Sequence, residues 1–98
     1  MTLTQEILKR DGYRCQYCNG RATEADHILA KAEARRAGIR RDNRQFIVAA
    51  CHDCNGLKGT RRILPQSWSV ERVAELAKLT GRPWMQWDGK SSLGVLLR

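Results

Sequence analysis

The sequence predicts a small α+β domain in which short strands and helices are closed by a cysteine cluster and flanked by N-terminal and C-terminal helices. Three observations carry that prediction. Two Cys-x-x-Cys pairs, Cys15/Cys18 and Cys51/Cys54, are separated by 32 residues, too long a stretch for a bare turn. The runs entering these pairs have strand character, and stretches with helix start and stop signals lie between them and at both ends. At 98 residues with 29% charged, the chain is at most one domain, 1–98, and cannot rely on a large apolar core, so it needs a staple.

Taken in order, Thr2 and Gln5 have capping-box spacing, and Ile7 and Leu8 give a short helix an apolar edge before Asp11-Gly12 stops it. Tyr13 to Cys18 reads as a strand entering a tight knuckle, with Asn19-Gly20 as its turn. His27 is expected at or just past the end of a further strand. The run Leu29–Ala37 is rich in helix formers, and Gly38 is a C-terminal stop. Asp42-Asn43 reads as a turn, and Gln45–Ala50 has the β-branched and aromatic content of a strand feeding Cys51. From about Cys54 the chain turns helical, placing Asn55 and Lys58 on one face. Ser69 caps a helix over Val70–Leu79, with Val73, Leu76, Ala77 and Leu79 on or near its buried face and Gly81 ending it. Trp84, Met85 and Trp87 form an aromatic patch read mainly as cover for that helix, with base stacking or partner binding as the other reading.

Four cysteines could make two disulfides. No N-terminal apolar run with a cleavage site precedes them, so a reducing cytoplasm is the expected location, and there two such pairs form a tetrathiolate zinc site. Redox dithiol chemistry is disfavoured, because it needs one pair on a βαβ unit. His52, inside the second pair, is a possible replacement ligand but is read as peripheral while four thiolates are available. No apolar run approaches the ~20 residues of a membrane-spanning helix.

The net charge is +8, or about +6 with four thiolates on one zinc ion. Arg35, Arg36, Arg40, Arg41, Arg44, Lys58, Arg61 and Arg62 crowd one stretch against only Asp42 and Asp53. A polyanion is the expected partner, DNA first, with an anionic membrane surface weaker because no continuous apolar helix face accompanies the charge. For Lys58 and Arg61, phosphate contact competes with the plain reading of a solvated helix face.

Asp26-His27 lies inside the 32-residue excursion. The plain reading of such a pair is a surface turn or a histidine whose hydrogen bonds are satisfied within the fold. Beside two cysteine knuckles and a basic flank it suits a division of labour, since a carboxylate can hold a hard dication while a neutral imidazole takes a proton from water. Asn55, directly after the last cysteine, can offer the same ion a neutral oxygen.

Together, Tyr13-Arg14-Cys15-Gln16-Tyr17-Cys18, Ala25-Asp26-His27-Ile28 and Ala50-Cys51-His52-Asp53-Cys54-Asn55-Gly56-Leu57-Lys58-Gly59 make the chain resemble the HNH endonucleases. These are small ββα-metal nucleases of phages, mobile elements and restriction systems. The resemblance spans the motif core 13–62 and leaves 64–98 as a helical and aromatic extension. It implies a ββα-metal core and a metal-dependent hydrolase of DNA phosphodiester bonds. His27 would be the general base, Asp26 and Asn55 the ligands of a catalytic divalent cation such as Mg2+ or Mn2+, and the four cysteines the ligands of one structural Zn2+. It implies products with a 5′ phosphate and a 3′ hydroxyl, in a bacterial or phage-encoded protein. Docking of double-stranded DNA mainly through its phosphates implies little sequence discrimination, and one active site in so short a chain makes nicking the expected outcome. A homodimer would be needed for a double-strand break. The family's middle asparagine, which orients the loop carrying the base, usually falls where this chain has Phe46. Asn43 is the candidate for that role, with Gln45 or a backbone group as alternatives. The segment holding Arg35, Arg36, Arg40 and Arg41 replaces the family's Pro- and Gly-rich link and reads as a DNA-facing insertion. A non-catalytic zinc-stapled nucleic-acid-binding module and a phage packaging or assembly component are the alternative functions.

Overall fold

The computed structural model describes residues 1–59 and 61–87, an α+β arrangement of four helices and two small sheets. Helix α1, Leu3–Arg10, starts with the expected capping box: Thr2 Oγ1 accepts from Gln5 N and Gln5 Oε1 accepts from Thr2 N. Its apolar edge delivers Ile7 to the core, where it is fully buried. The helix is tied to the first sheet by polar contacts. Asp11 accepts from Ala49 N at 2.9 Å, and Arg10 donates to the carbonyls of Arg44 and Ile47 at 2.8 and 2.7 Å.

Tyr13 to Cys18 does not form the expected strand. Tyr13 sits in the left-handed region at φ 59°, and only a single bridge, Arg14 to Arg21, joins the two sides of the knuckle. A chain that must return from Cys15 to Gly20 in one tight loop cannot stay extended. Cys15 N donates to Gly20 O at 2.7 Å, and Asn19, a residue tolerant of left-handed backbone, takes φ 66° at the turn.

Strand β1, Glu24–His27, pairs antiparallel with β2, Ile47–Ala50, in the register Glu24 to Ala50 and His27 to Ile47. His27 therefore ends its strand as anticipated. Between the strands lie α2, Lys31–Ala37, stopped by Gly38 at φ 71°, and a 3-10 turn, Arg44–Phe46. The strand anticipated from Gln45 is shortened at its start because Asn43 Oδ1 accepts from Gln45 N at 3.0 Å and caps that turn.

Helix α3, His52–Lys58, follows β2 directly and packs back on β1. It begins two residues before the expected point because Cys51 is its N-cap: the Cys51 sulfur accepts from Cys54 N at 3.3 Å. Beyond it, β3, Ile63–Leu64, pairs in parallel with β4, Met85–Gln86, and α4, Val70–Thr80, lies between them, capped by Ser69. Leu76 is buried and Val73 and Ala77 partly so, whereas Leu79 is exposed. The aromatic patch divides: Trp87 is buried, Trp84 half-buried, Met85 exposed. The last part of the anticipated extension, 88–98, lies outside the described residues.

Candidate functional site

The four cysteines converge where the first knuckle meets the junction of β2 and α3. All are free, and their sulfurs lie within 4.8 Å of one another. Cys18 and Cys51 sulfurs are 3.8 Å apart, whereas a disulfide holds its sulfurs at about 2.05 Å. A tetrahedral ion with metal–sulfur bonds of about 2.3 Å has sulfur–sulfur edges of about 3.8 Å, so the donor set and its spacing suit an ion such as zinc. The knuckle is built around these sulfurs. Gly20 N donates to Cys18 Sγ at 3.4 Å, and a Cβ at Gly20 would lie 3.3 Å from that sulfur, so glycine belongs there. Burial first, and then the crowding of Cys51, Cys15 and Cys18, pushes the Cys54 thiol far above its ordinary value. A bound dication supplies the positive charge that reverses this.

Strand alternation turns Glu24 and Asp26 toward α3 and His27 the other way. Asp26 is 4% exposed; Tyr17 Oη donates to it at 2.6 Å and Lys58 Nζ lies 3.4 Å from the same carboxylate. Burial pushes the Asp26 carboxyl up, while the Lys58 charge and the Tyr17 hydrogen bond oppose that rise. Lys58 corrects an expectation. Anticipated on a phosphate-facing or solvated surface, it is 1% exposed, because the α3 face that carries it lies against β1 and Asp26 neutralises it there. Nothing in the sequence alone pairs Tyr17 or Lys58 with Asp26. The available signal was Lys58's place one helical turn after Asn55.

One residue pair nearer the start of β1, Glu24 accepts from Asn55 Nδ2 at 2.8 Å through one oxygen and meets His52 Nδ1 at 2.7 Å through the other. His52 thus belongs to this pair and not to the thiolates, in keeping with its peripheral reading. The hydrogen bond and charge of Glu24 raise the His52 imidazole above its ordinary 6.5. A proton NMR titration of His52 is expected to show that elevation and to lose it in Glu24→Ala; an unchanged midpoint would contradict the pairing.

His27 is half-buried beside Leu29, Ala34, Ile39, Arg41 and Phe46. Burial, followed by the charge of Arg41, holds its imidazole below the ordinary 6.5, so it is neutral at pH 7 and its lone pair can take a proton. Asn43 is not brought to His27 by any hydrogen bond among the described residues, since its amide oxygen caps the 3-10 turn. Phe46 lies in that recess instead, and its carbonyl accepts from Ile28 N at 2.9 Å.

The arginines differ in what they touch. Arg35 and Arg36 are exposed on the last turn of α2, with no hydrogen-bond acceptor among the described residues. Arg40 pairs with Asp42 at 3.1 Å and Arg44 with Glu6 at 2.9 Å. Arg41 donates to Leu29 O, and Arg61 to Leu57 O at 2.6 Å. Arg62 is largely occupied inside the fold: it pairs with Glu33, donates to Thr80 Oγ1 and Pro83 O, and stacks 4.0 Å from the Trp84 ring centroid.

Among the described residues, no helix is long and apolar enough to cross a membrane. Comparison with protein-family models, curated proteins and solved structures returns no match to this chain.

Proposed function

We propose that the chain is a metal-dependent DNA endonuclease of the HNH type, with β1, β2 and α3 as its ββα-metal core and zinc on the four cysteines. The observation that carries this reading is positional. The strand bearing Asp26 and His27 is bonded to β2, and β2 runs through Cys51 straight into the helix bearing Asn55, which packs back on that strand. A cysteine cluster at that corner fixes Asn55 relative to Asp26.

The neutral, half-buried imidazole of His27 suits a base that removes a proton from the attacking water. Asp26 and Asn55 would hold a hard divalent cation through a carboxylate and an amide oxygen, a donor set that fits Mg2+ or Mn2+. Such an ion, when bound, neutralises charge on the phosphate being cut. Lys58 already sits on Asp26, so ion and ammonium must share or exchange that carboxylate. Arg35 and Arg36, exposed and unengaged by the described residues, are the leading phosphate contacts on DNA, ahead of Arg62. One site per chain makes nicking the default, in a bacterial or phage-encoded cytoplasmic protein.

His27→Ala is expected to lower cleavage by about 10²–10⁴-fold while DNA affinity stays near that of the native chain. Gel-shift and nicking assays on the same preparations check it; full activity in the variant would remove His27 from the role. A second reading, a non-catalytic zinc-stapled nucleic-acid-binding module, is favoured by the pairing of Asp26 with Tyr17 and Lys58. Such a module would bind DNA equally well with and without His27 and cut none of it.

A further inference from the structure

An asparagine amide offers an oxygen on one side and a donor on the other, and only the oxygen can ligate a hard cation. Which side faces a given point depends on what the other side is bonded to. Here the partner is unambiguous, because Glu24 meets Asn55 at 2.8 Å and an ionised carboxylate only accepts hydrogen bonds. The Asn55 amide therefore presents its Nδ2 to Glu24, and among the described residues its Oδ1 accepts from no donor. Glu24 is itself held on two sides. It belongs to β1, in register with Ala50, and its second oxygen is engaged by His52 Nδ1 at 2.7 Å. His52 opens the same helix that carries Asn55, so the carboxylate bridges two positions of α3 to the strand.

We propose that Glu24 is a positioning residue for the cation site: by holding Asn55 Nδ2 it leaves Asn55 Oδ1 free to serve as a ligand beside Asp26. The inference rests on the nuclease reading for the identity of the site, but its test does not require cleavage. The full zinc-loaded chain is titrated with Mn2+ and free Mn2+ is followed by electron paramagnetic resonance, with Asp26→Asn marking which binding belongs to the site. Loss of a partner that orients a metal ligand typically weakens binding by 10–100-fold. Glu24→Ala is expected to raise the Mn2+ Kd by about tenfold or more on that basis. Glu24→Asp, which keeps the charge but loses a methylene of reach, is expected to weaken binding likewise, and it carries the test if the alanine variant does not fold. Glu24→Gln, whose amide oxygen can still accept from Asn55, is expected to stay close to the native chain. Native-like Mn2+ affinity in both Glu24→Ala and Glu24→Asp would overturn the proposal while leaving the cation site standing. A native chain with no Mn2+ site sensitive to Asp26→Asn would overturn the proposal together with the catalytic-cation part of the nuclease reading.

Discussion

Cys51→Ser is expected to leave the protein without a cooperative fold. Cys51 has two functions that serine cannot replace together. It supplies one of four sulfurs clustered within 4.8 Å, and the same sulfur caps the helix that carries Asn55 and Lys58. Serine retains capping ability, so the loss would fall on the metal. Structural zinc contributes roughly 10–16 kcal/mol to folding in small zinc peptides, whereas whole domains are stable by only about 5–15 kcal/mol. Near-ultraviolet circular dichroism should show no thermal transition in the variant, and the native chain should carry one zinc per molecule. A native-like transition in Cys51→Ser would mean that the cluster is not the staple.

The second large effect is expected at Lys58. Lys58 and Asp26 are 1% and 4% exposed and 3.4 Å apart, and removing one member leaves a buried charge without its partner. Losses of this type cost about 3–5 kcal/mol. In a domain of this size that corresponds to a melting temperature lower by at least about 12 °C. Lys58→Met retains most of the buried volume and isolates the charge. The sign with pH is fixed by Asp26. Its carboxyl is already raised by burial, and loss of the Lys58 charge that opposes this raises it further. At about pH 3 and lower the carboxyl is largely protonated in both the native and the variant chain, and the deficit is small. As pH rises, Asp26 ionises in the native fold before it does in the variant fold, so the deficit grows between those two folded-state values and levels off above the variant's. Adding Asp26→Asn to Lys58→Met should recover part of the loss. A Lys58→Met protein as stable as the native chain at pH 7 would show that the pair contributes nothing.

Features set by local chemistry were legible in the sequence. Thr2 with Gln5, Gly38, and Ser69 with Gly81 mark helix ends by capping and left-handed backbone, and these need no knowledge of the rest of the chain. The cysteine cluster was legible for a different reason: two residues between sulfurs present both to one point whatever lies between the pairs. Tyr13 was misleading because its left-handed φ belongs to the exit from α1, where Gly12 is left-handed too and Tyr13 N donates to Leu8 O at 2.8 Å. Lys58 was misleading because cations are usually solvated. Its burial follows from which α3 face meets β1, and that depends on a helix start set by the Cys51 sulfur. Glu24 is an ordinary charged residue in the sequence, and only strand alternation places it with Asp26 and opposite Asn55. Asn43 attracted the middle role by residue type, while its short side chain serves the turn beside it. Arg62 was grouped with neighbouring arginines, yet Glu33, Thr80 and Trp84 hold it within the fold.

The most direct measurement is conversion of supercoiled plasmid to the open-circular form by zinc-loaded protein, with Mg2+ added or withheld, run beside His27→Ala purified identically. The nuclease reading predicts open circles only with Mg2+, and conversion slowed by at least about 100-fold in the variant. Supercoiled plasmid that is bound but uncut by the native chain with Mg2+ or Mn2+, or equal cutting by both proteins, would contradict it.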